Sequence, residues 1–535
     1  MRTLLYIALS LFSVAAFAVP ARREPRKVTQ PDGTELVVYA HGDEHFHWLT
    51  DADGHWLEKD AQGWYVQTQA LTPREIQARR NMSPHRAPEE VQSPVPLNIA
   101  PRGLVILAQT EDVKFVTDKA VIDTMLNGQN FTREYDYTHP LNGKAYHVVS
   151  SGSARQYFNA CSFGQYNPQF DVVGPVTLSK AMSYYGAGTK GYNPNAQEMI
   201  REACSLAAGQ GADFSIYDND KDNYVDFVYV IYAGYGENDG GGDNTIWPHK
   251  SNLGTTIKLN NKTVKLYACG SEMNNYSKVF YGIGIFCHEF GHVLGLPDMY
   301  ASSESMNWKT LGEWDIMDYG PYNNDANTPP LYSGYERFCL GWATPRLLKE
   351  PENVKLNDIA ATNEVLIISP DGTHNMKGND PYPQTFYVLE NRRKSGWNAF
   401  CPGEGMLITK VAYEYNKWKG CINDFESAMG VDIIEADGQA PEYPDAGWYG
   451  RPEDTYPTGA DSYEGITGYP VTDIKDKDGV ITFKFMGGAA SPVTEVHNAT
   501  DMPDGGKWLW KGRIYLNNNG HIYDILGNEN HLLQR

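Results

Sequence analysis

The stretch "GIFCHEFGHVLGLPDMY", residues 284–300, sets His288 and His292 four positions apart with Glu289 between them. Gly295 follows three residues after the second histidine, and Asp298 three residues later. Positions i and i+4 of a helix share a face. Two imidazoles can therefore address one ion, while Glu289, one step round, reaches a water on that ion without ligating it. This is the arrangement by which Zn²⁺ is held with an open position and a carboxylate takes the proton of the bound water. Zinc brings the pKa of that water from about 15.7 towards about 7. Gly295 lets the chain leave the helix sharply, and Asp298 can then return an oxygen as third ligand. Glu336, in "GYERFCLGW", is the competing third ligand, because other sites of this kind take a glutamate from a downstream helix. Cys287, directly before His288, is expected to be a packing residue rather than a nucleophile.

A second cluster, "YDNDKDNYVDFVYVIYAG", places Asp218, Asp220, Asp222 and Asp226 at positions 1, 3, 5 and 9 of a calcium-type loop, with the Tyr224 carbonyl at position 7. Asn223 stands where glycine is usual, and asparagine tolerates the left-handed conformation. There is no glutamate at position 12, and a strand pattern follows. The loop is thus expected to bind structural Ca²⁺ without being an EF-hand.

The elements that must carry these groups can be read from hydrophobic pattern. Residues 104–108, 170–178 and 227–233 read as buried strands, and 120–126 and 197–207 have helical spacing. This α/β stretch ends in the helix bearing His288. Beyond about residue 350 the pattern turns to strands ("EVLIIS", "TFYVLENR", "GMLITKVAY", "VDIIEAD", "VITFKF"), expected to form a β-rich sandwich completing the same unit. Residues 19–95 differ: short alternating strands separated by Asp-Gly and Gly-Asp turns, then the polar link "RRNMSPHRAPEEVQSPVP" with Arg79, Arg80 and Arg86 as exposed basic cleavage points. His41, His45, His47 and His55 do not fall on one strand face and are read as scattered hairpin histidines. A small module, a link and a large domain make the plan of a propeptide.

The chain has 535 residues, with 66 acidic against 45 basic and a formal charge of −21. That balance disfavours nucleic acid, whose phosphates it would repel. "MRTLLYIALSLFSVAAFAVP" has the layout of a secretory signal cleaved after Ala18. No later run is long and apolar enough to suggest a span in the mature chain. Seven cysteines leave at least one unpaired within the chain; Cys401 and Cys421, flanking one expected hairpin, are the candidate pair.

With these residues in hand, the chain resembles the immune inhibitor A family of secreted bacterial zinc metallopeptidases over most of residues 30–485. The likeness rests on "QPDGTEL…GDE", "YDNDKDNYVDFVYVIYAG", "IWPHK", "HEFGHVLGLPDMY", "WDIMDYG", "YERFCLGW" and "FYVLENRR". The long zinc motif is that of metzincins with Asp298 in place of the third histidine. Met317 and Tyr319 resemble the Met-x-Tyr turn beneath such sites, with Tyr319 the candidate oxyanion donor.

The expected fold is α+β, with a metzincin-like peptidase domain: signal 1–18, propeptide and linker 19–98, catalytic domain 99–348, β-rich region 349–487, and a tail 488–535, outside the likeness, that faintly resembles terminal sorting segments. The resemblance implies His288, His292 and Asp298 on zinc, Glu289 as general base, and latency through the N-terminal module. The expected protein is a secreted, monomeric endopeptidase acting on protein or peptide substrates. The alternatives are a calcium-stabilised binding or adhesion protein on an inactive scaffold, and a zinc hydrolase of non-peptide bonds.

Overall fold

The computed structural model describes residues 18–22, 24–80, 96–97, 100–186, 193–301, 310–419, 422–424, 428–439, 450–489 and parts of 493–529. Residues 1–17 of the expected signal, the link 81–95 with Arg86, and Cys421 lie outside the described residues. So does most of the pairing expected for Cys401, which is itself a buried thiol.

The N-terminal strands form as their turns require. Strands β1 (Arg26–Thr29), β2 (Glu35–Gly42), β3 (His47–Thr50), β4 (Trp56–Lys59) and β5 (Tyr65–Gln67) make one antiparallel meander in that order. It has a small aromatic core of Phe46, Trp48 and Trp56, against which Ile76 of α1 (Pro73–Arg80) packs. The four histidines go to separate partners: His41 to Thr50, His45 to Glu44, His47 to Glu237 and His55 to Asp51. Arg80 departs from expectation. It is buried and paired to Asp43 at 2.6 Å, so it is not an exposed cleavage point.

From Arg102 the chain runs β6 (Arg102–Gln109), α2 (Lys119–Asn127), the hairpin β7 (Thr132–Thr138) and β8 (Ala145–Ser151), and α3 (Ala154–Cys161). It continues through β9 (Gln169–Thr177), α4 (Met182–Gly186), α5 (Ala196–Gly209), β10 (Val228–Tyr235), β11 (His249–Leu259) and β12 (Lys262–Met273) to α6 (Ile283–Val293). The main sheet has the order β11-β12-β10-β6-β9, parallel except for the edge strand β11. A parallel sheet is covered on both faces, and successive residues of a strand face opposite ways. Val105, Leu107, Tyr229 and Ile231 accordingly enter the core shared with α2, α3 and α6, while Leu104, Ile106, Val228 and Val230 enter the core shared with α4 and α5.

Between residues 346 and 485 the strands form two packed sheets, and a separate four-stranded sheet follows within residues 493–524. One has Arg346–Leu348, Leu366–Ile368, Thr385–Arg392, Gly405–Ala412 and Val431–Ile433; the other has Glu352–Leu356, Val480–Phe485 and Val471–Lys477. Leu366, Ile368, Leu389 and Ile408 face the second sheet across their own core. On the opposite face, Ile367, Val388 and Leu407 belong to the same buried cluster as Phe286 and Phe290 of α6. The sandwich therefore contributes one wall to the core behind the active-site helix.

All eleven residues of α6 are buried, as befits a helix apolar around most of its circumference. Phe286 and Phe290 meet Phe170, Phe227 and Tyr229 below it. On the other side α6 lies against the turn at residues 320–326, so closely that a Cβ at Gly284 would sit 1.9 Å from the Pro321 carbonyl oxygen. Gly284→Ala should therefore cost about 1–3 kcal/mol through overpacking. Gly209→Ala, on the exposed end of α5 with nothing within 4 Å, should be neutral or stabilising by up to about 1 kcal/mol. Urea unfolding of the two variants checks the contrast.

Candidate metal centre

Helix α6 fixes its two histidines through their far nitrogens. His288 Nδ1 donates to the Ile316 carbonyl at 2.7 Å and His292 Nδ1 to the Leu296 carbonyl at 2.8 Å. Each ring thereby commits its Nδ1 proton to the backbone, which leaves the Nε2 lone pairs free for a metal. The Nε2 atoms lie 3.1 Å apart. Asp298 Oδ1 stands 3.4 Å from one and 3.2 Å from the other. Ligand atoms of His288, His292 and Asp298 all fall within 4.8 Å of one another, and all three residues are buried.

The chain reaches this arrangement by a tight exit from α6. Gly295 has φ of 104°, a left-handed value that favours glycine. Its N–H returns to the His292 carbonyl, and the Leu296 N–H to that of Gly291. Met299 N–H then bonds the Met317 carbonyl at 2.8 Å, tying the Asp298 segment to the turn that accepts His288. Met317 lies directly under the helix: a Cβ on Gly291 would be 2.6 Å from its sulfur. Tyr319 is buried in the same turn, its ring 6.5 Å from that of Tyr322.

Burial raises the Glu289 carboxyl well above the ordinary range, against the backbone hydrogen bond it accepts. Burial would also raise Asp298, but the adjoining His292 and His288 outweigh it and hold that carboxyl low. Burial depresses His292. Cys287 is buried and its thiol is pushed well up by burial, in keeping with a packing role.

Glu336 sits elsewhere. Its Oε2 accepts the Ser333 N–H at 2.6 Å, and its N–H returns to the Ser333 hydroxyl, capping the helix Gly334–Cys339. Its carboxyl is raised by burial and then by the neighbouring Asp315 carboxylate. Asp315 in turn holds the Met317 N–H at 2.7 Å. Glu336 thus supports the turn beneath the histidines rather than joining them.

The segment before β1 crosses this centre. Val19 N–H donates to Glu289 Oε1 at 3.0 Å, while the Val19 carbonyl accepts from Trp247 Nε1, the Pro20 carbonyl from the Tyr322 hydroxyl and the Ala18 carbonyl from the Tyr300 hydroxyl. Glu44, between β2 and β3, is also buried. Burial, then the neighbouring Asp43 and Asp298 carboxylates, keep its own carboxyl well above the usual range. Sequence reasoning assigned none of these contacts; the "GDE" at Gly42–Glu44 was the one local sign of a special loop.

In the acidic loop, the structure gathers Asp218, Asp220 and Asp222 as a trio able to hold an ion. Lys262 Nζ already meets Asp218 Oδ2 at 2.6 Å. Asn223 is left-handed, with φ of 75°, as its position requires. Asp226 stands apart from that trio: it accepts from the Asn219 side chain at 2.7 Å, and burial lifts its carboxyl to about 7. Tyr224 forms a parallel bridge to Thr263.

The sequence model described as "Immune inhibitor A peptidase M6, catalytic domain" matches residues 102–338, which include His288, Glu289, His292 and Asp298. These residues form an M6 peptidase catalytic domain. The chain is 27% identical over 244 residues to the "Pre-pro-metalloprotease PrtV" of Vibrio cholerae serotype O1, a match covering 40% of this chain and 26% of that protein. It is 25% identical over 237 residues to the "Immune inhibitor A" of Bacillus thuringiensis subsp. alesti, covering 38% of this chain and 34% of that one. The matches thus span about a quarter to a third of the relatives' lengths.

A metal fits the M6 domain's buried trio on its own chemistry: two imidazole nitrogens with lone pairs converge on a carboxylate oxygen that has no hydrogen-bond partner among the described residues. Metal content separates the two carboxylates. Asp298→Ala should lose its metal at a chelator concentration that Glu336→Gln survives, read as bound metal per protein by atomic emission. The reverse order would move the third ligand to Glu336.

Proposed function

We propose that this chain is a zinc-dependent endopeptidase, exported and made as a latent precursor, with a metzincin-like active site in its M6 domain. The observation that carries the reading is the convergence of His288, His292 and Asp298 within 4.8 Å, with the Glu289 carboxylate meeting a peptide N–H beside them. Zinc held there would supply Lewis-acid polarisation of the scissile carbonyl and a water acidic enough to deprotonate at neutral pH. The donor set, two neutral imidazoles and one carboxylate, suits a catalytic zinc, which keeps three protein ligands.

Glu289 is the base that takes the water's proton and later returns it to the leaving nitrogen. The 3.0 Å bond from Val19 N–H supports this role, since a backbone nitrogen already fits within proton-transfer distance of its carboxylate. Met317 beneath α6 supports the metzincin likeness. Tyr319 is proposed as the oxyanion donor from the same turn.

Latency is supported by residues 19–22, the first after the expected leader, whose backbone bonds to Glu289, Trp247 and Tyr322 run across the metal centre. Glu44 adds a buried carboxylate facing Asp298 and Glu289. Among the described residues no helix is long and apolar enough to cross a membrane; the export proposal rests on the leader pattern at 1–18. We further assign structural Ca²⁺ to the Asp218–Asp220–Asp222 loop, where like charges crowd together and a cation would relieve them.

Glu289→Gln keeps size and ligands but removes the proton acceptor. Metal content should stay at the wild-type level while peptide hydrolysis falls by roughly 10²–10⁴; near-normal turnover with metal in place would sink the assignment. Calcium should raise the melting temperature through binding to the folded state, and Asp220→Asn with Asp222→Asn should abolish that rise. An undiminished response would place calcium elsewhere.

A further inference from the structure

Three residues past the atom that meets Glu289, Arg22 enters a pocket built by the M6 domain. Its guanidinium carbon lies 4.1 Å over the centre of the Tyr276 ring and 5.7 Å from that of Tyr322. Both terminal nitrogens face Asp325 Oδ1, at 3.3 and 3.4 Å, and one donates to Asn274 Oδ1 at 3.3 Å. Arg22 is 4% exposed, Asp325 7% and Asn274 1%. The arginine's remaining partner, Glu24, belongs to the N-terminal segment itself.

The pocket is organised around its carboxylate without help from that segment. Asp325 Oδ2 accepts the Tyr135 hydroxyl at 2.7 Å, and Oδ1 accepts the Asn274 amide at 2.8 Å. Asn324, Asp325 and Ala326 carry φ of 53°, 54° and 64° in succession. Three consecutive left-handed residues, none of them glycine, are costly, and packing from the α6 side holds them there: the Ala326 carbonyl oxygen lies 2.1 Å from where Gly282 would carry a Cβ. If residues 18–24 withdrew, Asp325, Asn274 and the two tyrosine rings would remain, an acidic pocket that has lost the Arg22 guanidinium. Such a pocket strongly favours an entering positive charge, and a ring face above a planar fork suits guanidinium better than ammonium.

We propose that the Asp325 pocket is the enzyme's recognition subsite for an arginine side chain of its substrates, and that Arg22 fills it in the latent chain in the manner of a substrate. The inference rests on the peptidase reading given above. The position follows from geometry. Glu289 delivers its proton to the leaving nitrogen, and Val19 N is the nitrogen at Glu289. Val19 thus stands for the first residue after the cleaved bond, and the subsite takes the fourth.

The test uses the zinc-loaded full chain after limited proteolytic activation, with internally quenched peptides that differ only in carrying arginine or its neutral isostere citrulline at the fourth position after the cut. The arginine peptide should be favoured in kcat/KM by about 10-fold or more, and Asp325→Asn should bring the ratio near one. In the wild-type protein alone, a hexapeptide of residues 19–24 should inhibit at least about 10-fold better than the same peptide with citrulline in place of its first arginine. Equal cleavage of both peptides by wild type would overturn the inference while leaving the peptidase reading intact. So would a basic preference at another position that survives Asp325→Asn. Failure of the metal-loaded protein to cleave any peptide or denatured casein would overturn the peptidase reading, and the subsite with it.

Discussion

Two hydrogen bonds at the far side of the imidazoles govern the centre. Because His288 and His292 each donate Nδ1–H to a backbone carbonyl, their tautomers and ring planes are set before any ion arrives, and both Nε2 lone pairs turn to the same point. Each carbonyl then has to be held. Leu296 offers its oxygen because the chain reverses at Gly295. Ile316 offers its oxygen because Asp315 accepts the Met317 N–H and Met317 accepts that of Met299. The geometry of the trio is therefore a property of three backbone segments, and the side chains that ligate are the last part of it.

Support for the Met317 turn comes from far along the chain. Trp314 gives its indole N–H to Asp454 at 2.8 Å, and its carbonyl accepts from Arg392. Arg392 is buried beside Glu390, which also accepts the Gly334 N–H at the start of the helix bearing Glu336. A buried charge network of this kind is costly to break, since removing one partner strands the other without solvent. It joins the second half of the chain to the floor of the metal centre.

Much of this was legible in sequence wherever the signal was local. The i, i+4 histidines, the Gly295 exit, the return at Asp298, the left-handed Asn223 and the hairpins of the N-terminal module follow from spacing and residue type. What escaped was contact across long separations. Val19 reaches Glu289 over 270 positions and Arg22 reaches Asp325 over 303, and nothing in "VPARRE" or "NNDAN" announces the other. Arg80 read as exposed because its neighbours are polar; its burial depends on Asp43, set in the turn after β2. Glu336 read as a rival ligand because a helix and a glutamate were visible, whereas its neighbour Asp315 was not. Lys262, inside the acidic loop, comes from a strand more than 40 positions away.

The wall that the C-terminal sandwich lends to α6 bears on where the molecule can be divided. The M6 match ends at Phe338, yet Ile367, Phe386, Val388, Leu407 and Val411 belong to the same buried cluster as Phe286, Phe290 and Met317. A polypeptide stopped at the end of the match would present that apolar surface to water and would lose Arg392 and Asp454 from beneath the Met317 turn. Apolar surface of that extent drives association rather than solution as a monomer. The unit that evolution can move between proteins is thus larger than the stretch over which its sequence is recognised, and the sandwich has to travel with the catalytic helix.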